Sequence, residues 1–166
     1  MNEQKRIEEV KPPISPDVQK ALEKMVEKNE YMKNLQIEML EIERGYVKGR
    51  LMVSDKVLNP YGSVHGGCLF SLADITAGLA ACTYGNYSST IDGNMEYILP
   101  AIDTEYIICE AKEVRQGIHV SQYEAFLYDD KEQLVDKATF SFYMMHRPVA
   151  DLSLIHISEP TRHSLI

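Results

Sequence analysis

Between Gly66 and Tyr84 the chain carries a single charged side chain, Asp74. Every other residue of that run is apolar, very small or hydroxyl-bearing. A helix apolar on all sides belongs in a core. An ionised carboxylate in such a place is costly unless it is paired, hydrogen-bonded or reached by water. The run is therefore expected to be the central element of the fold, with Asp74 a working group. The competing reading makes Asp74 a cap or half of a structural pair, yet nothing close in sequence offers a partner charge.

The remaining segments look built to cover that helix. Ser15-Pro16-Asp17 is a helix start: a capping hydroxyl, Pro at the first helical position, then an acid at the positive end. Val18, Leu22, Met25, Val26, Met32 and Leu35 follow at helical spacing, which predicts one helix over Pro16–Met32 with a single apolar stripe. Strands are predicted over Leu35–Glu43 and Tyr46–Ser54, as a hairpin around Arg44-Gly45. Asn59-Pro60-Tyr61-Gly62 is a loop by its turn residues. The apolar helix is predicted from His65 to Tyr84 and ended by Gly85-Asn86-Tyr87-Ser88. Four strands complete the pattern, over Ser89–Ile98, Glu105–Arg115, His119–Tyr128 and Gln133–Met145. Short turns between strands make an antiparallel sheet, and one very apolar helix needs a sheet to wrap it. The class is α+β.

Composition narrows the function. The chain has 166 residues and a formal net charge of -8. That length suits one domain, and that charge disfavours nucleic acid or an anionic membrane as partner. No run approaches the roughly 20 apolar residues of a membrane span, and no signal-peptide-like segment opens the chain. Cys68, Cys82 and Cys109 lack metal or redox spacing and sit in apolar runs, as buried small hydrophobes of a reducing compartment would. A cytoplasmic location follows as the expectation. His65, His119 and His146 do not have zinc-site spacing, and there is no GxSxG elbow or P-loop, so no metal is expected. Residues 1–14 are expected to be a flexible N-terminus and residues 15–151 the folded domain. Residues 152–166 are expected to be foreign, because Leu152 to Arg162 resembles a translated sequencing adapter.

Asn59, Gly62, His65-Gly66-Gly67 and Leu72-Ala73-Asp74 resemble the N-x-x-G-x-x-H-G-G-x-x-x-x-L-x-D signature of hotdog-fold acyl-CoA thioesterases. The group most similar is the PaaI-like branch of the 4-hydroxybenzoyl-CoA thioesterase superfamily. Asp92, Asn94, Tyr97 and Pro100-Ala101 resemble that group's third strand and its exit. The resemblance runs from about Leu35 to Met145. It implies a long central helix wrapped by a curved antiparallel sheet, here with an added N-terminal helix. It also implies homodimers or homotetramers, an acyl-CoA substrate, no cofactor, and active sites formed between subunits.

By that resemblance Asp74 is the base or nucleophile of thioester hydrolysis, and the Gly66 N–H holds the developing oxyanion. A plain tight turn is the other reading of Gly66. His65 either braces the catalytic loop or is a turn residue bonding backbone. Asn59 either positions the water or the carbonyl, or simply forms a turn before Pro60. Thr90 falls where some relatives carry a hydroxyl that orients the nucleophilic water. Gly67 is assigned to substrate contact. Many relatives place a basic residue directly after the Gly of the turn between the fourth and fifth strands, to hold CoA phosphates. Here Arg115-Gln116-Gly117 runs on into Ile118-His119. Arg115 and Lys112 are then the candidates for the phosphates, with Arg147 as a further one. A module that binds acyl-CoA without turnover is the alternative function. A hydratase of the same general fold and a site-free scaffold rank below it.

Overall fold

The computed structural model describes residues 11–150. Helix α1 spans Pro16–Glu27 and α2 spans Glu30–Asn34. Strands β1 (Ile37–Glu43) and β2 (Tyr46–Met52) form the first hairpin. Helix α3 (Gly66–Cys82) is followed by β3 (Asn86–Tyr97), β4 (Tyr106–Arg115), β5 (Val120–Tyr128) and β6 (Leu134–Pro148). The six strands make one antiparallel sheet in the order β1-β2-β4-β5-β6-β3. The adapter-like segment 152–166 lies outside the described residues.

Helix α3 is the core. Leu72, Ala73, Thr76, Ala77, Ala80 and Ala81 are fully buried against the sheet. Alanines let the strands come close, and β2 comes closest at Gly49. A methyl there would lie 2.8 Å from Thr76 Oγ1, so this crossing requires glycine. Leu51, Ile107 and Leu127 pack around the helix from three strands with no exposure, each stabilising by about 1.5–3 kcal/mol. Cys109 is buried among them, and desolvation pushes its thiol up to about 12. All three cysteines are unpaired.

The single N-terminal helix anticipated over Pro16–Met32 is two. Asn29 leaves the helical conformation, and its Oδ1 accepts a 3.1 Å hydrogen bond from Met32 N, which ends α1 and caps α2. Ser15 occupies the N-cap of α1 without a side-chain bond, so proline at the first turn carries that start. The turn at Gly85 (φ +97°) is tighter than Gly85–Ser88 suggested, and β3 begins directly at Asn86. Of the leading segment, Pro12 and Pro13 accept bonds from Arg44, and Lys11 pairs with Glu113 at 2.8 Å.

Among the described residues, strand β3 lies at one edge of the sheet, paired only with β6. It is 12 residues long, and Ile91 and Tyr97 on it are exposed. A long edge with apolar side chains is a template for pairing with another strand.

Candidate active site

The loop before α3 is set by Asn59. Its Oδ1 accepts from the Tyr61 and Ser63 amides (2.9 and 3.2 Å), and its Nδ2 donates to Ser63 Oγ (2.7 Å). Gly62, at φ +79°, closes the turn. Within one protomer Asn59 thus does the work of a turn former. The His65 amide donates to the Val57 carbonyl at 2.7 Å, and His65 becomes the N-cap of α3.

His65 Nδ1 accepts the Gly67 amide at 2.9 Å. An accepting Nδ1 puts the proton of the neutral imidazole on Nε2, which faces outward on an exposed ring. The Gly67 N–H expected to touch substrate is therefore already engaged. Gly66 is placed differently: its carbonyl accepts the Tyr97 hydroxyl at 3.1 Å, while its amide heads the helix, where N–H groups lack intrahelical partners. A methyl on Gly66 would sit 3.0 Å from the Tyr97 ring, so the backbone here is closely approached.

Asp74 is not the sunken acid that the apolar run suggested. It is half-buried, on the side of α3 that meets β3, and it borders the cavity beneath α1–α2. Thr90 Oγ1 donates to its Oδ1 at 2.8 Å. Thr90 sits beside a register shift between Thr90 and Asp92, the kind of bulge that re-aims a side chain. None of the ion pairs among the described residues involves Asp74.

Asp74 and Thr90 line a cavity of about 420 Å³ between α1–α2 and α3. Its wall is mainly apolar, with Met25, Met32, Leu79 and Phe142 among its members. Lys28 and Asn29 also reach it, and the sequence reading missed them because it drew a continuous helix through that junction.

The other candidates stand apart from this cavity. Gly66 precedes Asp74 by eight residues, a separation of about 12 Å along the helix at 1.5 Å per residue. Asn59, His65 and Gly67 gather at the Gly66 end. Lys112 is exposed with its ammonium 5.0 Å from the Phe126 ring centre, and Arg115 is exposed at the end of β4. Arg147 stacks on Tyr87, a cavity residue, at 4.8 Å. One chain therefore brings together Asp74 and Thr90, and separately Asn59, His65, Gly66 and Gly67.

The fold has known counterparts. The model of the Thioesterase superfamily matches residues 61–135. Over that segment the chain resembles the thioesterase superfamily. A putative esterase of Archaeoglobus fulgidus is 28% identical over 129 residues, covering 78% of this chain and 84% of the relative. The acyl-coenzyme A thioesterase PaaI of Escherichia coli is 24% identical over 111 residues, 67% of this chain and 79% of its own. The solved E. coli PaaI structure superposes with a TM-score of 0.77 at 21% identity, covering 81% of this chain and 98% of that one, which identifies the hotdog fold. A Streptococcus mutans protein solved with acetyl CoA bound is 27% identical with a TM-score of 0.65, over 68% of this chain and 90% of that one.

The chain does hold a fully buried acid, and it is Asp136. Both of its carboxylate oxygens are buried without a hydrogen-bond partner among the described residues. Desolvation pushes its pKa up to about 6; the nearby Ile98 amide, bonded to the Val135 carbonyl rather than to the carboxylate, offsets this only in part. The signal was present in the alternation of β6, where Asp136 shares a face with Ala138, Phe140 and Phe142.

Proposed function

We propose that this chain hydrolyses an acyl-CoA thioester to the free acid and CoA, in a site completed by a second copy of itself. The observation that carries the proposal is Asp74. It is a carboxylate without an ion pair among the described residues, held by Thr90 at the wall of an apolar cavity. Such a group can accept a proton from water as the water adds to the thioester carbon. The carbonyl oxygen then becomes an oxyanion, which needs donors placed in advance. The Gly66 amide of a partner subunit fills that need, with His65 ordering the helix start around it. Collapse of the tetrahedral adduct breaks the C–S bond and expels the thiolate, which takes up a proton. Asp74 adding directly to the carbonyl, followed by hydrolysis of the resulting anhydride, uses the same geometry.

The open edge of β3 supports pairing with a second protomer, in an isologous interface that generates two equivalent sites. Its position suits the task, because β3 carries both Thr90 and Tyr97, which touch the two halves of the site. The acetyl CoA in the S. mutans relative supports CoA as the leaving group. Lys112, Arg115 and Arg147 are the candidates for its phosphates. Asn59 completes the partner's half as the residue that shapes the loop.

The test is CoA release from a panel of acyl-CoA thioesters by wild type, Asp74→Ala and Asp74→Asn. Loss of about 10²–10⁴-fold in kcat is expected in both variants, and wild-type rates in both would overturn the role of Asp74. Tight acyl-CoA binding with no release by the wild type would select the non-catalytic binding module instead.

A further inference from the structure

The matched family segment begins at residue 61, yet α1 and α2 lie before it and supply part of the cavity wall. We infer that this cavity receives the acyl group of the thioester, and that Met25 and Met32 set the size of apolar acyl group the enzyme accepts. The inference rests on the proposed hydrolysis for its orientation, with the scissile carbonyl at the Asp74–Thr90 wall.

Three features argue for an uncharged, medium-sized acyl group. The wall beyond Asp74 and Thr90 is dominated by side chains such as Met25, Met32, Leu79 and Phe142. The polar groups of the α1–α2 junction add little to the apolar wall: Asn29 Oδ1 is used in capping α2, and Lys28 is exposed, which keeps its charge in water at the cavity's rim. The volume of about 420 Å³ corresponds to about fourteen water-sized groups at roughly 30 Å³ each. An acyl group of about six to ten carbons, or an aromatic ring on a short spacer, fills most of it, whereas an acetyl group leaves it nearly empty. Methionine suits the gauge, since its unbranched side chain adapts to the ligand that it contacts.

The experiment compares kcat/KM of the full chain for acetyl-, hexanoyl-, octanoyl-, dodecanoyl- and phenylacetyl-CoA. Specificity should rise by about fourfold per added methylene until the cavity is full. Met25→Trp narrows the slot and should lower the octanoyl-to-acetyl ratio by about tenfold or more. Met25→Ala widens it and should raise the dodecanoyl-to-octanoyl ratio. The affinity of the non-hydrolysable octanoyl thioether of CoA, measured by calorimetry, should fall in Met25→Trp whether or not Asp74 is the catalytic group. Unchanged ratios and unchanged thioether affinity in both Met25 variants would overturn the acyl placement. Loss of the role of Asp74 alone, with the thioether still sensing Met25, would overturn the catalytic reading and leave the acyl slot standing.

Discussion

Thr90 Oγ1 donates a 2.8 Å hydrogen bond to Asp74 Oδ1, tying the central helix to the edge strand that follows it in sequence. The bond fixes one carboxylate oxygen and aims the other. It also places the candidate base on a rigid pair of elements rather than on a loop.

Thr90→Val keeps the shape of the side chain and removes the donor. It should lower kcat for CoA release by about tenfold to a hundredfold, because a misaimed base loses proton-transfer efficiency. Thr90→Ser should recover most of the rate. Equal rates in Val and Ser variants would mean that the hydroxyl does not orient Asp74.

The oxyanion role of Gly66 can be separated from its small size. Gly66 is the first residue of α3, and His65 before it is extended at φ -64° and ψ 129°. Both positions accept a Gly66→Pro substitution, which removes the amide hydrogen. Gly66→Ala adds bulk toward the exposed Tyr97 ring and keeps the hydrogen. With similar melting temperatures, Gly66→Pro should lose about 10²–10³-fold in kcat relative to Gly66→Ala. A Pro variant as active as the Ala variant would remove Gly66 from the mechanism.

His65 caps α3 through Nδ1. His65→Ala should destabilise the fold by about 1 kcal/mol in urea denaturation, and His65→Asn should restore most of that loss. A rate defect persisting in His65→Asn would show that the outward Nε2–H also acts on the substrate.

Asp136 predicts a pH dependence. Burial raises its pKa from 3.8 to about 6, so between those values the folded protein binds more protons than the unfolded chain. Stability then falls as pH rises through that window, and the deficit above pH 6 is about 3 kcal/mol. Asp136→Asn should abolish this part of the pH profile and be the more stable protein at pH 8. Chemical denaturation at pH 4.5 and pH 8 checks it, and identical pH profiles for the two proteins would contradict it.

The sequence made the architecture legible because the strongest signals were local. A run with one charge could only be a core helix, and the turns at Gly45, Gly85 and Gly117 separated the strands. The environment of Asp74 was not legible. Its exposure is decided by how α3 meets β3 and by the cavity left where α1–α2 lie alongside, a packing that sequence spacing does not encode. The break at Asn29 was hidden because apolar residues keep helical spacing across it. Asp136 was overlooked for a related reason: an acid inside a strand reads as solvent-facing until the sheet on one side and the helix on the other are both in place. The division of site residues into two groups about 12 Å apart along α3 follows from helix geometry, and it makes the second copy a requirement of the account.

The most direct test of that requirement is complementation between Asp74→Asn and Gly66→Pro, each inactive alone. Mixed dimers of the two contain one site built wholly from intact residues. Unfolding and refolding an equimolar mixture should therefore restore about a quarter of wild-type CoA release, by random pairing of an isologous dimer. No recovery above the separate variants, in a sample shown to contain mixed dimers, would contradict a site shared between subunits.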